Sequence, residues 1–126
     1  MEHKEITEKI IGCAYKVYNQ MGSGFLESVY EKCMMIELKS LDLDAEAQKP
    51  IKVYYGDIIV GEFIADIIVN GSIILELKAV RKINKIHEVQ LVNYLVATRK
   101  SLGLLLNFGD EKVEVKRKVK VLKSIK

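Results

Sequence analysis

The chain has 126 residues, of which 49% are hydrophobic and 29% charged, with one proline; this describes an ordinary globular protein and excludes a disordered or fibrous one. The length predicts one domain spanning 1–126, and a net charge of +3 is compatible with a polyanionic partner without requiring one. The longest apolar run, Ile58 to Val69, is broken by Glu62 and Asp66, so no membrane span is expected.

The N-terminal stretch MEHKEITEKI is too polar for a signal peptide. Cys13 and Cys33 fit no CxxC or Cys/His pattern, and are expected to be buried free thiols of a cytoplasmic protein. From residue 5 to about residue 20, Ile6, Ile10, Cys13, Ala14, Val17 and Met21 recur with a helical period. The MGSG stretch stops that helix, and Ser23 or Gly24 could cap a second one running from about Phe25 to Ser40. On this second helix Glu27, Tyr30, Glu31, Met34 and Leu38 form one stripe. Phe25, Leu26, Val29, Cys33 and Ile36 form a broader apolar face.

DLDAEAQKP reads as a polar connection, with at most a short extended piece. From Ile51 the chain turns β-branched and aromatic, punctuated by Gly-Asp and Asn-Gly, which predicts three antiparallel strands. Residues 84–100 return to helical spacing through Val89, Val92, Leu95 and Val96. LGLLLNFG predicts a short buried strand, and KVEVKRKVKVL alternates like an edge strand. The order α-α-β-β-β-α-β-β describes an α/β protein with a mixed sheet flanked by helices.

The segment EFIADIIVNGSIILELKAV sets Asp66, Glu76 and Lys78 among apolar residues, where an unpaired charge would cost several kcal/mol. Glu76 and Lys78 share a strand face. Whether Asp66 joins them depends on the turn. A two-residue Asn70-Gly71 loop pairs Val69 with Ser72 and sends Asp66 to the other face. A three-residue loop, Val69 to Gly71, or an equivalent bulge, pairs Ile68 with Ser72 and Asp66 with Ile74. Asp66 is then the diagonal neighbour of Glu76. The second register is expected, because it alone gathers the charges. Two adjacent carboxylates call for a cation, and hard oxygen ligands suit Mg²⁺, with Mn²⁺ as an alternative. A structural ion pair of Lys78 with Glu76 or Asp66 is the other reading of the same residues.

D-x9-E-x-K on a hairpin resembles the PD-(D/E)xK signature of the restriction-endonuclease-like nucleases, with Ala65 where the signature has proline. GFLESVY, Gly24 to Tyr30, resembles the motif of the GxxExxY family within that group, as do HEVQLVNYL and GLLLNFG. The resemblance runs from the first helix to Gly109. It implies a restriction endonuclease-like fold, with Asp66, Glu76 and Glu27 holding the metal, Lys78 as the catalytic lysine, and Gln90 as a helix residue beside the site.

His87, Gln90 and Tyr94 line up on the crossover helix. Gln90 could hold a water or a phosphate oxygen, or be only a polar flank; His87 is the weaker candidate. Tyr30 could pack with a hydrogen-bonded hydroxyl or contact substrate, and Tyr94, Arg81 and Lys82 are further substrate contacts. Lys116, Arg117, Lys118, Lys120, Lys123 and Lys126 could meet phosphates or merely protect an edge strand. Together these readings describe a Mg²⁺-dependent nuclease acting on DNA. The rival is a non-catalytic nucleic-acid-binding or assembly module. Relatives commonly dimerise, so a homodimer is possible, though no segment identifies its surface.

Overall fold

The computed structural model describes residues 3–119. Two helices, α1 (Lys4–Met21) and α2 (Glu27–Ser40), precede strands β1 (Ala45–Tyr55), β2 (Ile58–Val69) and β3 (Ile73–Lys78). Helix α3 (Lys85–Thr98) then leads to β4 (Leu102–Phe108) and β5 (Val113–Val119). This is the element order expected from the sequence. The strands lie in the order β1-β2-β3-β4-β5. Only β3 and β4 are parallel, as their connection through α3 allows.

Helices α1 and α2 cover one face of the sheet. Ile10, Cys13, Ala14, Val17, Tyr30, Met34 and Leu38 pack there on Ile67, Val69, Ile73, Leu75, Leu77, Leu104, Leu106 and Phe108. Helix α3 covers the other face, where Leu91 and Leu95 meet Ile68, Ile74 and Leu105. Strands β3 and β4 are thus apolar on both sides, which is why IILELK and LGLLLNF read as nearly continuous apolar runs. Gly103 permits the close approach of α3. A Cβ there would lie 3.0 Å from Leu91 Cδ1 and 3.3 Å from the Ile74 carbonyl oxygen.

Four expectations are corrected. Helix α2 begins at Glu27 with Leu26 as a cap residue that offers no side-chain acceptor, so neither Ser23 nor Gly24 caps it. Its inward stripe is Tyr30, Met34 and Leu38, whereas Leu26, Ile36 and Phe25 are exposed. The polar segment after α2 is already strand from Ala45; as the sheet's edge, β1 carries Glu46, Lys49 and Lys52 in solvent. Finally, α3 buries Leu91, Leu95 and Thr98, leaving Val89 and Val96 outside. Thr98 tolerates burial because its hydroxyl donates to the Tyr94 carbonyl at 2.6 Å.

The β2–β3 turn needs the fifth correction. Asn70 and Gly71 both have positive φ, 54° and 67°, and Ser72 N–H closes the turn on the Val69 carbonyl at 3.1 Å. That is the mirror-image turn favoured by Asn-Gly. Yet the ladder pairs Val69 with Ile73 and Ile68 with Ile74, so Ser72 is an extra, bulged residue. The bulge was foreseen, but the pairing is displaced from Ile68–Ser72. Continuing it past Ile67–Leu75 sets Asp66 level with Glu76, not with Ile74. The faces are unchanged, since a shift of two preserves the side.

Lys116, Arg117 and Lys118 lie on β5; Lys120, Lys123 and Lys126 fall outside the described residues. Both cysteines are free, Cys13 buried and Cys33 half-buried. Among the described residues no helix is long and apolar enough to cross a membrane.

Candidate active site

Backbone pairing between β2 and β3 stops at Ile67–Leu75, and carboxylates take over from there. Leu77 N–H donates to Asp66 Oδ2 at 2.8 Å, and Asp66 N–H donates to Glu76 Oε2 at 3.3 Å. The two acids therefore wedge the strands apart, and each commits one oxygen to the neighbouring backbone. Beyond this point β2 pairs only with β1. The resulting two-stranded ribbon curls over α3, held by the Phe63–Tyr94 ring stack at 4.0 Å. At its far end Arg99 sits 3.9 Å from the centre of the Tyr54 ring and donates to the Gly56 carbonyl at 2.6 Å.

The gap between ribbon, sheet and α3 is a cavity of about 140 Å³ lined by Phe63, Glu76, Lys78, His87, Gln90, Leu91, Tyr94 and Leu105. Asp66 is outside that lining but is bonded through its N–H to Glu76, which is part of it. A larger hollow of about 630 Å³ near Arg99 holds no carboxylate and is remote from this chemistry.

Crowding shows in the acidities. Burial and then the neighbouring Asp66 push Glu76 up to about 8, with Glu27 adding to the effect and Lys78 opposing it. Asp66 is also raised, chiefly by burial, against the stabilising Leu77 N–H, Lys78 and the Gln48 amide. Two carboxylates sharing a half-buried gap cannot both ionise readily. The pair keeps a proton near neutral pH unless a cation replaces it.

Glu27, the exposed first residue of α2, acts on Glu76 through its charge from outside the cavity lining. The Gly-x-x-Glu-x-x-Tyr motif that carries it is a structural unit. Gly24 has φ 99°, a conformation that suits glycine. Tyr30 donates its hydroxyl to the Gly22 carbonyl at 2.6 Å and stacks on Phe108 at 4.3 Å. Tyr30 has 0% exposure, so its proposed substrate contact is withdrawn: the hydroxyl is committed and the ring is out of reach.

Gln90, Tyr94 and His87 join Glu76 and Lys78 around the cavity. Arg81 and Lys82 do not. They border a different cleft with Asp110, Glu111, Lys112 and Glu114, where Arg81 pairs with Asp110 at 3.2 Å.

Three residues that the sequence did not single out position the site. Gln48 takes φ 53° opposite Asp66, where the β1–β2 ladder skips a pair; its amide donates to Glu31 Oε1 at 2.6 Å. Such strain in a non-glycine residue is typical of functional sites. Asn107, fully buried, accepts from Val80 N–H at 2.9 Å and donates to the Val80 carbonyl at 2.9 Å and to Glu114 Oε1 at 2.8 Å. Glu114 also accepts from Ile83 N–H at 3.0 Å. These bonds fix the path from Lys78 to α3. A buried Asn at the end of an otherwise apolar strand was the one available signal.

Two carboxylates and an ammonium beside an open gap suit a divalent ion bound through few protein ligands, with a phosphate completing its shell. Among the described residues no three His, Cys, Asp or Glu side chains are grouped closely enough to hold an ion alone.

A model of the PD-(D/E)XK nuclease superfamily matches residues 4–118. Among solved structures, the crystal structure of SSO0001 is similar, with a TM-score of 0.59 and 21% identity over 96% of this chain. The chain spans 61% of that relative's length, and at this identity the likeness concerns the fold. No functionally curated protein matches.

Proposed function

The chain belongs to the PD-(D/E)XK nuclease superfamily, and on that premise we propose that it is a divalent-metal-dependent nuclease hydrolysing phosphodiester bonds in DNA. Within the superfamily we assign it to the GxxExxY group, on Gly24, Glu27 and Tyr30. The observation that carries the reading is the side-by-side pair Asp66 and Glu76, with Glu76 and Lys78 lining one cavity.

Asp66 and Glu76 would hold the ion, with Glu27 supporting it from the rim. Bound there, Mg²⁺ or Mn²⁺ supplies Lewis-acid charge for the phosphoryl oxygens. Lys78 orients the attacking water and offsets the charge that develops on the phosphate. Gln90 holds the substrate side by hydrogen bonding, and Tyr94 borders the entering strand. Water attacks phosphorus in line, a new P–O bond forming as the bond to the leaving oxygen breaks.

A non-catalytic nucleic-acid-binding module on the same scaffold is the second reading. It draws on the absence, among the described residues, of a three-ligand metal cluster. Cleavage of linear duplex, single-stranded and four-way-junction DNA, with Mg²⁺ or with EDTA, separates the two. The nuclease reading expects cutting that needs metal and falls roughly 10²–10³-fold in Lys78→Ala. Equal cutting by that variant marks a contaminating nuclease, and no cutting by the wild type favours the module.

A further inference from the structure

We infer that His87 is a further residue of this site, donating a hydrogen bond from neutral Nε2–H to a phosphate oxygen without giving up its proton. The inference rests on the nuclease reading and adds a residue to it. Three observations support it. His87 lies on the wall of the cavity that holds Glu76, Lys78 and Gln90. It is also the third residue of α3, where it completes a capping box: Asn84 N–H donates to His87 Nδ1 at 3.3 Å, while Asn84 Oδ1 accepts from Ile86 N–H at 3.0 Å. Finally, no other hydrogen bond engages the ring among the described residues.

A nitrogen that accepts from a backbone N–H carries no proton of its own. The neutral ring therefore bears its hydrogen on Nε2, at the edge opposite the cap. The cap fixes both tautomer and ring orientation, as a partner on one imidazole nitrogen generally does for the other. It also limits the chemistry. Were His87 to act as a general acid through Nε2, Nδ1 would have to take up a proton in exchange, and the Asn84 N–H occupies it. What remains is a fixed neutral donor beside a lysine, suited to an oxygen that gains charge in the transition state.

Substitutions separate this role from capping. Gln at this helix position can keep the cap through its carbonyl oxygen while its amide remains a donor. Glu keeps the cap but has no donor, and Ala loses both. With linear duplex DNA and Mg²⁺, His87→Gln should cut within about tenfold of wild type. His87→Glu and His87→Ala should lose roughly 10²-fold in kcat with little change in KM, although His87→Glu melts like wild type.

Nitrogen-15 NMR of the wild type should find Nε2 protonated and Nδ1 not, and Nε2 should shift when the same duplex is added with Ca²⁺ in place of Mg²⁺. Full activity in His87→Ala or His87→Glu would overturn the assignment. So would a protonated Nδ1, or an Nε2 unmoved by DNA. If the wild type binds the duplex but never cuts it, the nuclease reading fails, and the NMR shift alone then decides whether His87 meets the phosphate.

Discussion

Asp66 and Glu76 are joined across the splayed end of β2 and β3, the N–H of one donating to Oε2 of the other at 3.3 Å. The contact stands where a ladder hydrogen bond would otherwise be, so strand pairing has been given up to seat two acids. Burial makes both carboxyls weaker acids, and the Asp66 charge adds to it at Glu76, whose pKa is pushed up to about 8. The metal-free fold is therefore less stable than a neutral pair would make it, a trade-off expected at functional sites.

Glu76 supplies the pH test. In the unfolded chain it ionises near 4.5, whereas the folded chain retains the proton to about 8. Between those values the native state binds more protons, so the stability of the metal-free protein falls as pH rises. Asp66 is raised too and contributes with the same sign. Glu76→Gln keeps an acceptor for Asp66 N–H but removes the charge. Urea unfolding in EDTA should find the variant more stable than wild type at about pH 9, by roughly 1–3 kcal/mol. Near pH 5 the gap should be small.

Tyr30 tests the division between scaffold and site. Tyr30→Phe retains the stack on Phe108 but leaves the Gly22 carbonyl without the hydroxyl. Thermal or urea unfolding should register a loss of about 1–2 kcal/mol. DNA binding by the folded variant should be unchanged, because the ring never reaches solvent.

Asn107 makes the strongest stability prediction. Asn107→Leu fits the apolar surroundings yet strips partners from Val80 N–H, the Val80 carbonyl and Glu114 at once. The expected cost is about 2–4 kcal/mol in unfolding free energy. Hydrogen exchange at Val80 and Ile83 should quicken even where the variant remains folded.

Much of this was legible beforehand. A run rich in β-branched residues, punctuated by Asn-Gly, marked the hairpin, and the charges at Asp66, Glu76 and Lys78 stood out because their neighbours are apolar. Turn chemistry alone left the register open. Asn-Gly forms its usual tight turn, and it is the bulged Ser72 that returns Asp66 to the side of Glu76.

The first half of β1, Ala45 to Pro50, was hidden because an edge strand exposed to water keeps a polar sequence. The inward faces of α2 and α3 were misread because both helices expose apolar residues. Leu26 and Ile36 lie outside on α2, and Val89 and Val96 on α3, while Tyr30 and Thr98 are inside with their hydroxyls bonded locally. Gln48 gave no sign, since a strained backbone angle in a glutamine follows from tertiary structure alone.

The central claim is that Asp66 and Glu76 together hold a divalent cation, and calorimetric titration with Mg²⁺ or Mn²⁺ at about pH 8 tests it most directly. Wild type should bind the ion and release protons as it does so, since the raised acids must ionise to ligate; Asp66→Ala and Glu76→Ala should bind none. Wild type that takes up no ion with or without DNA, or alanine variants that bind as well as wild type, would contradict the account.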